Sequence, residues 1–424
     1  MTARSTNQPT DGHPLEPPEN LSPGLYVHVP FCASRCTYCD FHVTSLRIPV
    51  VRDYVAALVD EIDRHAASGF CPRTIFIGGG TPSALDLASW DKLLASLANS
   101  FRTNLIEWTI EVNPESIDAD KIEIALSYGV DRISTGAQTF DETGLSLMGR
   151  RHDADRIFEV HRLLAELQVP RTSLDLIVGW PGQDLDSVNK DLHAVSDIDP
   201  DHVSLYHLSY EQGTWLDTMR LRGFIDPIVD ETCIELSRQF LQGLKSQGYQ
   251  RYEVSNLCKR GGESLHNLNY WQRGNYLGTG SGAASYLRGE RWKNKPDVQA
   301  YIASGGNPER VDVELPSGFT VVTEQIMLGL RLLEGIDPVQ ICSETGYDIV
   351  DRCGSHLRKY EQQGFLLCGE NSIRLTDKGF EILDTMVVEI LELLERTGDA
   401  GDFAKNSGSC DCDPGVTSTI MGCR

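Results

Sequence analysis

The sequence predicts an α/β fold: a partial (β/α)6 barrel of the TIM type, followed by a small, mostly helical, winged-helix-like domain. Two observations predict this fold. Short β-branched segments recur between residues 25 and 208, and each precedes a longer amphipathic segment. Such a βα rhythm produces a parallel sheet, and six units without a closing pair indicate an open version of the eight-stranded barrel.

The predicted strands define the units of this barrel. They are Leu25–Phe31, Thr74–Gly79, Glu107–Val112, Arg132–Ala137, Ser173–Gly179 and His202–Leu208. Apolar residues at helical spacing predict helices between them, for example over Val51–Ala66 and Trp90–Ser100. In barrels of this kind the functional residues follow the carboxyl ends of the strands, so we expect the site there.

The chain divides into five segments by composition and pattern. We predict a disordered N-terminal extension, the partial barrel, a connecting segment with an HNxxY motif and a Gly-rich run, a C-terminal helical domain with a hairpin near Phe365–Leu375, and a disordered tail. Their ranges are 1–24, 25–255, 256–315, 316–396 and 397–424.

Charge and hydropathy exclude several classes of protein. The formal net charge is −23, and no Lys/Arg cluster appears that could neutralise phosphates, so we expect no nucleic-acid partner. No apolar run reaches the roughly 20 residues of a transmembrane helix. The first 24 residues lack the apolar region of a signal peptide. We therefore expect a cytoplasmic protein whose membrane contact, where it occurs, is peripheral.

A cysteine triplet follows the first predicted strand. Cys32, Cys36 and Cys39 form a C-x3-C-x2-C motif on one short loop. A [4Fe-4S] cluster normally takes four cysteines, so three leave one iron open for S-adenosylmethionine, whose amino and carboxylate groups can chelate it before one-electron cleavage. A zinc site is the alternative, but His28 and His42 do not complete a standard zinc spacing.

Further candidate residues lie at the strand ends. Gly78–Gly80 permit close approach of a ligand, although a plain βα turn would also use glycines. Tyr38 suits either stacking on adenine or ordinary loop packing. Polar side chains that such a ligand would satisfy are Glu111, Gln138, Arg150 and Asp175, with a structural salt bridge of Arg150 as the alternative.

Six motifs together resemble one known family. They are LYVHVPFCASRCTYCDF, IFIGGGTPS, TIEVNPES, GAQTF, LDLIVGWPGQ and HNLNYW, and they closely resemble the HemW family of heme chaperones, a coproporphyrinogen-oxidase-like branch of the radical S-adenosylmethionine proteins. The resemblance extends from about Leu25 to Leu375. It implies a [4Fe-4S] cluster on the three cysteines and heme bound for transfer to an acceptor, with a respiratory membrane protein as the natural recipient. The S-adenosylmethionine contacts that it implies are Tyr26, Tyr38, Gly79, Gly80, Thr81, Glu111, Gln138, Arg150 and Asp175.

Position 41 bears on enzymatic activity. The sister enzyme, oxygen-independent coproporphyrinogen dehydrogenase, typically reads C-x3-C-x2-C-x-C, and Phe41 occupies the fourth position here. We therefore expect a heme-binding protein of the porphyrin pathway that lacks coproporphyrinogen oxidase activity. The alternative function is a radical enzyme that oxidatively decarboxylates coproporphyrinogen III, because the cosubstrate residues fit both.

The HNLNYW motif contains a candidate heme ligand. Histidine is a common ligand of heme iron, and the aromatic residues after His266 suit a porphyrin face. The resemblance associates this motif with heme. The alternative is a structural histidine that hydrogen-bonds a loop, with Tyr270 and Trp271 in the core.

Overall fold

The computed structural model describes residues 23–369 and 371–397. The predicted N-terminal extension (1–24) and tail (397–424) lie outside these residues, except for residues 23, 24 and 397. The strands are β1 (Gly24–Val29), β2 (Phe31–Cys32), β3 (Thr44–Ser45), β4 (Thr74–Gly79), β5 (Glu107–Val112), β6 (Arg132–Gln138), β7 (Arg171–Val178), β8 (His202–His207), β9 (Gln250–Arg251), β10 (Asn256–Cys258), β11 (Tyr276–Thr279), β12 (Ala284–Leu287), β13 (Glu290–Asn294), β14 (Arg310–Glu314), β15 (Leu366–Cys368) and β16 (Ile373–Leu375).

The helices lie between the strands and after them. They are α1 (Ile48–Ala67), α2 (Leu87–Phe101), α3 (Ala119–Tyr128), α4 (Glu142–Leu147), α5 (Ala154–Glu166), α6 (Leu185–Ile198), α7 (Trp215–Leu221), α8 (Asp230–Ser246), α9 (Leu265–Trp271), α10 (Val298–Ala303), α11 (Phe319–Gly329), α12 (Pro338–Thr345), α13 (Ile349–Gln362), α14 (Asp377–Phe380) and α15 (Leu383–Thr397). Aspartates accept a backbone N–H at the start of α2, α3, α5 and α6, which satisfies otherwise unpaired donors.

Six parallel strands form the centre of one large sheet. They lie in the order β1-β4-β5-β6-β7-β8, which is also their order along the chain, so each βα unit places its strand beside the previous one. The two edges of the sheet, β14 and β9, do not pair with each other. This arrangement confirms the predicted open barrel.

Residues 256–315, predicted as a connecting segment, extend this sheet at both ends. β10 pairs antiparallel with β8, while β11 pairs parallel with β1 and leads into the antiparallel strands β12, β13 and β14. These strands have three to five residues each, too short for a strong local pattern. The strands that pair with β10 and β11, β8 and β1, are also far away in sequence.

Alternation along the strands separates core from lumen. In β5, Trp108 and Ile110 are buried in the apolar layer beneath α2 and α3, whereas Glu107, Thr109 and Glu111 occupy the alternate positions. The same alternation places Phe76 of β4 in the lumen, together with polar side chains from β6 and β7, namely Arg132, Ser134, Ser173 and Asp175. Parallel strands covered by helices are thereby buried on one face and available to ligands on the other.

The C-terminal helices and hairpin form a separate small core. α11, α12, α13 and α15 pack around the antiparallel β15–β16 hairpin, which confirms the predicted helical domain. Ion pairs connect this domain to α8 of the barrel, with 2.7 Å between Arg238 Nε and Glu381 Oε1 and 2.5 Å between Lys245 Nζ and Asp377 Oδ2. Within the described ranges, no helix combines the length and the apolar character needed to cross a bilayer.

Candidate functional site

The cysteine loop lies at the carboxyl end of β1 and is anchored by its neighbours. The Thr37 amide donates to Met148 O at 3.2 Å, its hydroxyl donates to Leu147 O at 2.8 Å, and its carbonyl accepts from the Leu216 amide at 2.9 Å. These bonds hold the loop against the segments that follow α4 and precede α7. Cys32, Cys36 and Cys39 are half-buried, free thiols in this loop.

A chain of hydrogen bonds connects two of these cysteines through the neighbouring strand ends. Arg150 donates from Nη1 to Cys36 Sγ at 3.2 Å and from Nη2 to Asn113 Oδ1 at 2.7 Å. Asn113 donates from Nδ2 to Thr81 Oγ1 at 3.1 Å, and the Thr81 hydroxyl lies 3.6 Å from Cys32 Sγ. Donors to ligand sulfurs orient such ligands and tune a bound cluster.

Three cysteine thiols on one loop are donors of the type that a [4Fe-4S] cluster takes. Among the residues that the structure describes, no group of three or more His, Cys, Asp and Glu side chains is arranged to hold one ion. A zinc ion would require its ligands to converge on one point, whereas a [4Fe-4S] cube binds each cysteine to a different iron.

Two carboxylates face the lumen near this loop. Burial raises the pKa of Glu111 to about 8, and repulsion from Asp175 adds to the effect. Burial likewise raises the pKa of Asp175 to about 6, although Ser134 donates a hydrogen bond to it at 3.1 Å. Neither carboxylate forms an ion pair within the described part of the chain. An enclosed acid pair of this kind favours a cationic ligand.

Backbone strain marks the end of β6. Gln138 has a φ of 72°, in the left-handed region that favours glycine, and follows a register shift between Gly136 and Gln138. A Cβ added at Gly136 would lie 2.9 Å from Gln138 Nε2 and 3.2 Å from Asn113 Oδ1. The strain thus brings the amide of Gln138 beside the hydrogen-bonded chain at Arg150, and strained residues of this kind concentrate at functional sites.

The glycine loop after β4 is tightly packed. A Cβ added at Gly78 would lie 2.6 Å from Glu111 Oε2, and one at Gly79, whose φ is 107°, would lie 2.3 Å from the His28 ring. The Gly79 amide also donates to Glu111 Oε2 at 3.3 Å. Because these glycines lack a Cβ, the lumen side chains of His28 and Glu111 can pack directly against the backbone of this loop.

The two predicted tyrosines lie on different sides of the site. The Tyr26 hydroxyl is 2.9 Å from His28 Nδ1, and its ring stacks on Phe76 in the lumen. Tyr38 packs in the cysteine loop against Met148 and Trp180. Tyr26 thus belongs to the lumen wall and Tyr38 to the rim.

His266 lies at the opposite end of the barrel. It is 1% exposed and stacks on Phe76, and its ring nitrogens lie 2.8 Å from Thr74 Oγ1 and 2.9 Å from the Tyr270 hydroxyl. Glu107 accepts its backbone N–H at 3.0 Å. Both ring nitrogens of His266 therefore have hydrogen-bond partners, and its predicted heme role stays a prediction.

Two family models match separate parts of the chain. A radical SAM superfamily model matches residues 26–195, and a HemN C-terminal domain model matches residues 320–382. The heme chaperone HemW of Escherichia coli is 37% identical over 86% of this chain and 96% of its own length. Those of Bacillus subtilis and Lactococcus lactis are 32% and 31% identical, each over 84% of this chain.

The chain belongs to the HemW family. The HemW proteins of Bacillus subtilis and Lactococcus lactis are covered over 95% and 94% of their lengths, so the relationship includes both domains. A solved structure of the Escherichia coli coproporphyrinogen III oxidase HemN aligns with a TM-score of 0.74 at 22% identity, over 87% of this chain and 90% of that one. This likeness shows that the chain has the same fold as that HemN.

Asn113 is a site residue that the sequence interpretation missed. It follows β5 directly and bridges Thr81 and Arg150, two residues that the HemW resemblance had assigned to S-adenosylmethionine. The available signal was its position, since a polar residue just after a barrel strand faces the mouth. The resemblance assigned the neighbouring Glu111, and not Asn113, to S-adenosylmethionine.

Proposed function

We propose that this protein is a heme chaperone that carries a [4Fe-4S] cluster on Cys32, Cys36 and Cys39 with S-adenosylmethionine at the open iron. The observation that carries the proposal is the identity of 31–37% to proteins named heme chaperone HemW over nearly their whole length. The three free thiols on one anchored loop support the cluster assignment.

In this proposal the residues around the loop position the cluster ligands. Arg150 and Thr81 donate to the sulfurs of Cys36 and Cys32, and Asn113 keeps both donors in place. The cluster, when bound, supplies a one-electron redox centre. The positive charge of Arg150 lies beside the sulfur of Cys36, where it would offset negative charge on a bound cluster.

The lumen supplies the groups that would hold S-adenosylmethionine. Glu111 and Asp175 offer carboxylates to the cationic ammonium or sulfonium group, and burial raises the pKa of both carboxyls. The Nε of Arg150 is buried with no hydrogen-bond partner among the described residues, so it can donate to the ligand carboxylate. Tyr26, Tyr38, Gly79, Gly80 and Gln138 complete the proposed set around these groups.

The proposal also specifies what happens to heme. The protein binds heme and delivers it to an acceptor hemoprotein, with a respiratory membrane protein as the natural class of recipient, and does so in the cytoplasm. We propose no decarboxylation of coproporphyrinogen, because Phe41 occupies the position of the fourth cysteine in the enzyme.

Cluster binding is tested by replacing one cysteine at a time. Cys36→Ser should abolish the brown colour, iron content and sulfide content of anaerobically reconstituted protein, while Cys71→Ser, at an exposed cysteine outside the loop, should retain all three. Hemin is then titrated into both variants and into the wild type, and its binding is measured by absorbance. An unchanged iron and sulfide content in Cys36→Ser would refute the ligand assignment, and a wild-type protein that binds no hemin would refute the chaperone function.

A further inference from the structure

The strained end of β6 contains a bulge. Gly136 and Gln138 lie opposite consecutive residues of β7, so Ala137 is an extra residue in the pairing. Gln138 then has a φ of 72°, a strained conformation for a residue other than glycine. Such a conformation persists only where the surroundings enforce it, so the contacts of the bulge show what positions Gln138.

Two side chains from the loop between α4 and α5 contact the carbonyls of this bulge. Arg150 donates from Nη2 to Gly136 O at 2.8 Å, and His152 Nε2 lies 3.4 Å from Ala137 O. The side chain of His152 is fully buried. The two carbonyls that precede Gln138 are therefore fixed by residues that lie two positions apart in the chain.

Glu115, in the loop after β5, orients the His152 ring. Its Oε2 lies 3.0 Å from His152 Nδ1. Burial opposes ionisation of Glu115, but the hydrogen bond from His152 and the charge of Arg150 bring its pKa below the ordinary value. Both nitrogens of the ring face oxygen acceptors, an arrangement that suits the doubly protonated ring with Glu115 as its counter-ion.

The loop after β5 holds both side chains that contact the bulge. Asn113 accepts from Arg150 Nη2 at 2.7 Å, and Glu115 binds His152 two residues later. Contacts therefore lead from this loop, through Arg150 and His152, to the two carbonyls before Gln138. Arg150 also contacts a cysteine sulfur, whereas the contacts of His152 are with the carboxylate and the bulge.

We propose that His152 is a positioning residue for Gln138. By holding the Ala137 carbonyl, it keeps the amide of Gln138 in place among the residues that would hold S-adenosylmethionine. This inference rests on the proposed function, in which Gln138 contacts that ligand. His152 acts through the backbone of the bulge, and Glu115 acts through His152.

Binding of S-adenosylmethionine to anaerobically reconstituted variants tests the proposal. His152→Leu should weaken the binding about tenfold in equilibrium dialysis, as losses of indirect partners do at metal sites. The change that S-adenosylmethionine causes in the EPR spectrum of the reduced cluster should require correspondingly more ligand. His152→Gln keeps an N–H donor, so its affinity should lie between those of His152→Leu and the wild type.

His161→Leu is the matched control. His161 is an equally buried histidine on α5, and its Nε2 has no hydrogen-bond partner among the described residues. This variant should bind S-adenosylmethionine like the wild type. In addition, without ligand, the amide hydrogens of residues 136–138 should exchange faster in His152→Leu than in His161→Leu, as measured by mass spectrometry.

Glu115→Ala tests the same contacts without altering the buried ring. It should weaken binding in the same direction as His152→Leu, and the double variant should lose no more than the stronger single variant, because both residues act through one contact. Additive losses would overturn the role of Glu115. Where His152→Leu does not load a cluster, Glu115→Ala and His152→Gln decide the proposal.

Other results would overturn the proposal as a whole. Wild-type affinity in His152→Leu, with normal iron and sulfide content, would exclude the positioning role and leave the proposed function intact. Equal losses of affinity in His152→Leu and His161→Leu would reduce the effect to packing. A wild-type protein that loads a cluster but binds no S-adenosylmethionine would refute that part of the proposed function, and this inference with it.

Discussion

The guanidinium of Arg150 donates to the sulfur of Cys36 at 3.2 Å, although the sequence resemblance assigns Arg150 to S-adenosylmethionine. A cationic donor to a ligand sulfur stabilises the more negative, reduced cluster and raises its reduction potential. Replacement of Arg150 by Met should therefore lower the potential by tens of millivolts in an EPR-monitored redox titration.

Arg35 provides the control for this prediction. It is exposed and donates to the backbone carbonyl of Cys39 at 3.0 Å, so it contacts the loop through an oxygen and not through a sulfur. Arg35→Met should leave the potential close to that of the wild type, and Arg150→Lys should give an intermediate value. Equal potentials in Arg150→Met and the wild type would rule out the sulfur contact in the loaded protein.

The two lumen carboxylates predict a pH dependence of stability. The pKa of Glu111 is raised to about 8 in the folded protein from 4.5, so the unfolded chain releases this proton at lower pH than the folded protein does. Stability from this group is complete below pH 4.5 and is lost as the pH rises towards 8. Asp175 adds the same effect between 3.8 and about 6.

Glu111→Gln separates the two carboxylates. In this variant, the free energy of unfolding should still fall as the pH rises from 3.8 to about 6, because Asp175 is unchanged. The further decrease between pH 6 and 8, which Glu111 causes, should be absent. The variant should therefore be more stable than the wild type at pH 8, as measured by urea midpoints without S-adenosylmethionine. Glu123→Gln, at an exposed carboxylate, is the control. A parallel pH profile of Glu111→Gln and wild type would contradict the assignment.

The fold was largely predictable, because strands of a parallel sheet are continuous β-branched segments that local patterns reveal. β4 and β5 match the predicted ranges Thr74–Gly79 and Glu107–Val112. The position of β11 beside β1 was not predictable, since it depends on pairing between residues some 250 positions apart. A local pattern carries no information on such a partner.

The candidate site was predictable in its composition but not in its contacts. The strand-end rule correctly brought the polar residues to the mouth, where Arg150 and Thr81 meet the cysteine loop. The strand-end rule did not predict the burial of His266. Only the tertiary fold places α9 at the amino-terminal end of the barrel, against Glu107.

Two glycines with positive φ predict how tightly the loop after β4 is packed. Gly79→Ala should cost the strain of a left-handed residue plus the clash with His28, whose ring lies 2.3 Å from the new Cβ. Gly69, with a φ of 84° and nothing within 4 Å of such a Cβ, should cost the strain alone, about 1 kcal/mol. The difference in free energy of unfolding should be about 2 kcal/mol or more. Equal losses would indicate that His28 moves freely.

His266→Ala should destabilise the barrel floor. The substitution removes the stacking on Phe76 and leaves the buried hydroxyl of Thr74 without its 2.8 Å partner. Loss of a buried ring and its hydrogen bonds costs about 2–4 kcal/mol. Chemical denaturation measures this loss, and Tyr270→Phe should show a smaller part of it. An unchanged unfolding free energy would contradict the structural role of His266.

The central claim is that this chain binds heme through a cluster-bearing scaffold without acting on coproporphyrinogen. The most direct measurement uses one anaerobic, reconstituted preparation: hemin is titrated by absorbance, and a second portion receives reductant, S-adenosylmethionine and coproporphyrinogen III. The account predicts saturable, stoichiometric hemin binding and no protoporphyrinogen. Formation of protoporphyrinogen together with 5′-deoxyadenosine, or the absence of hemin binding, would contradict it.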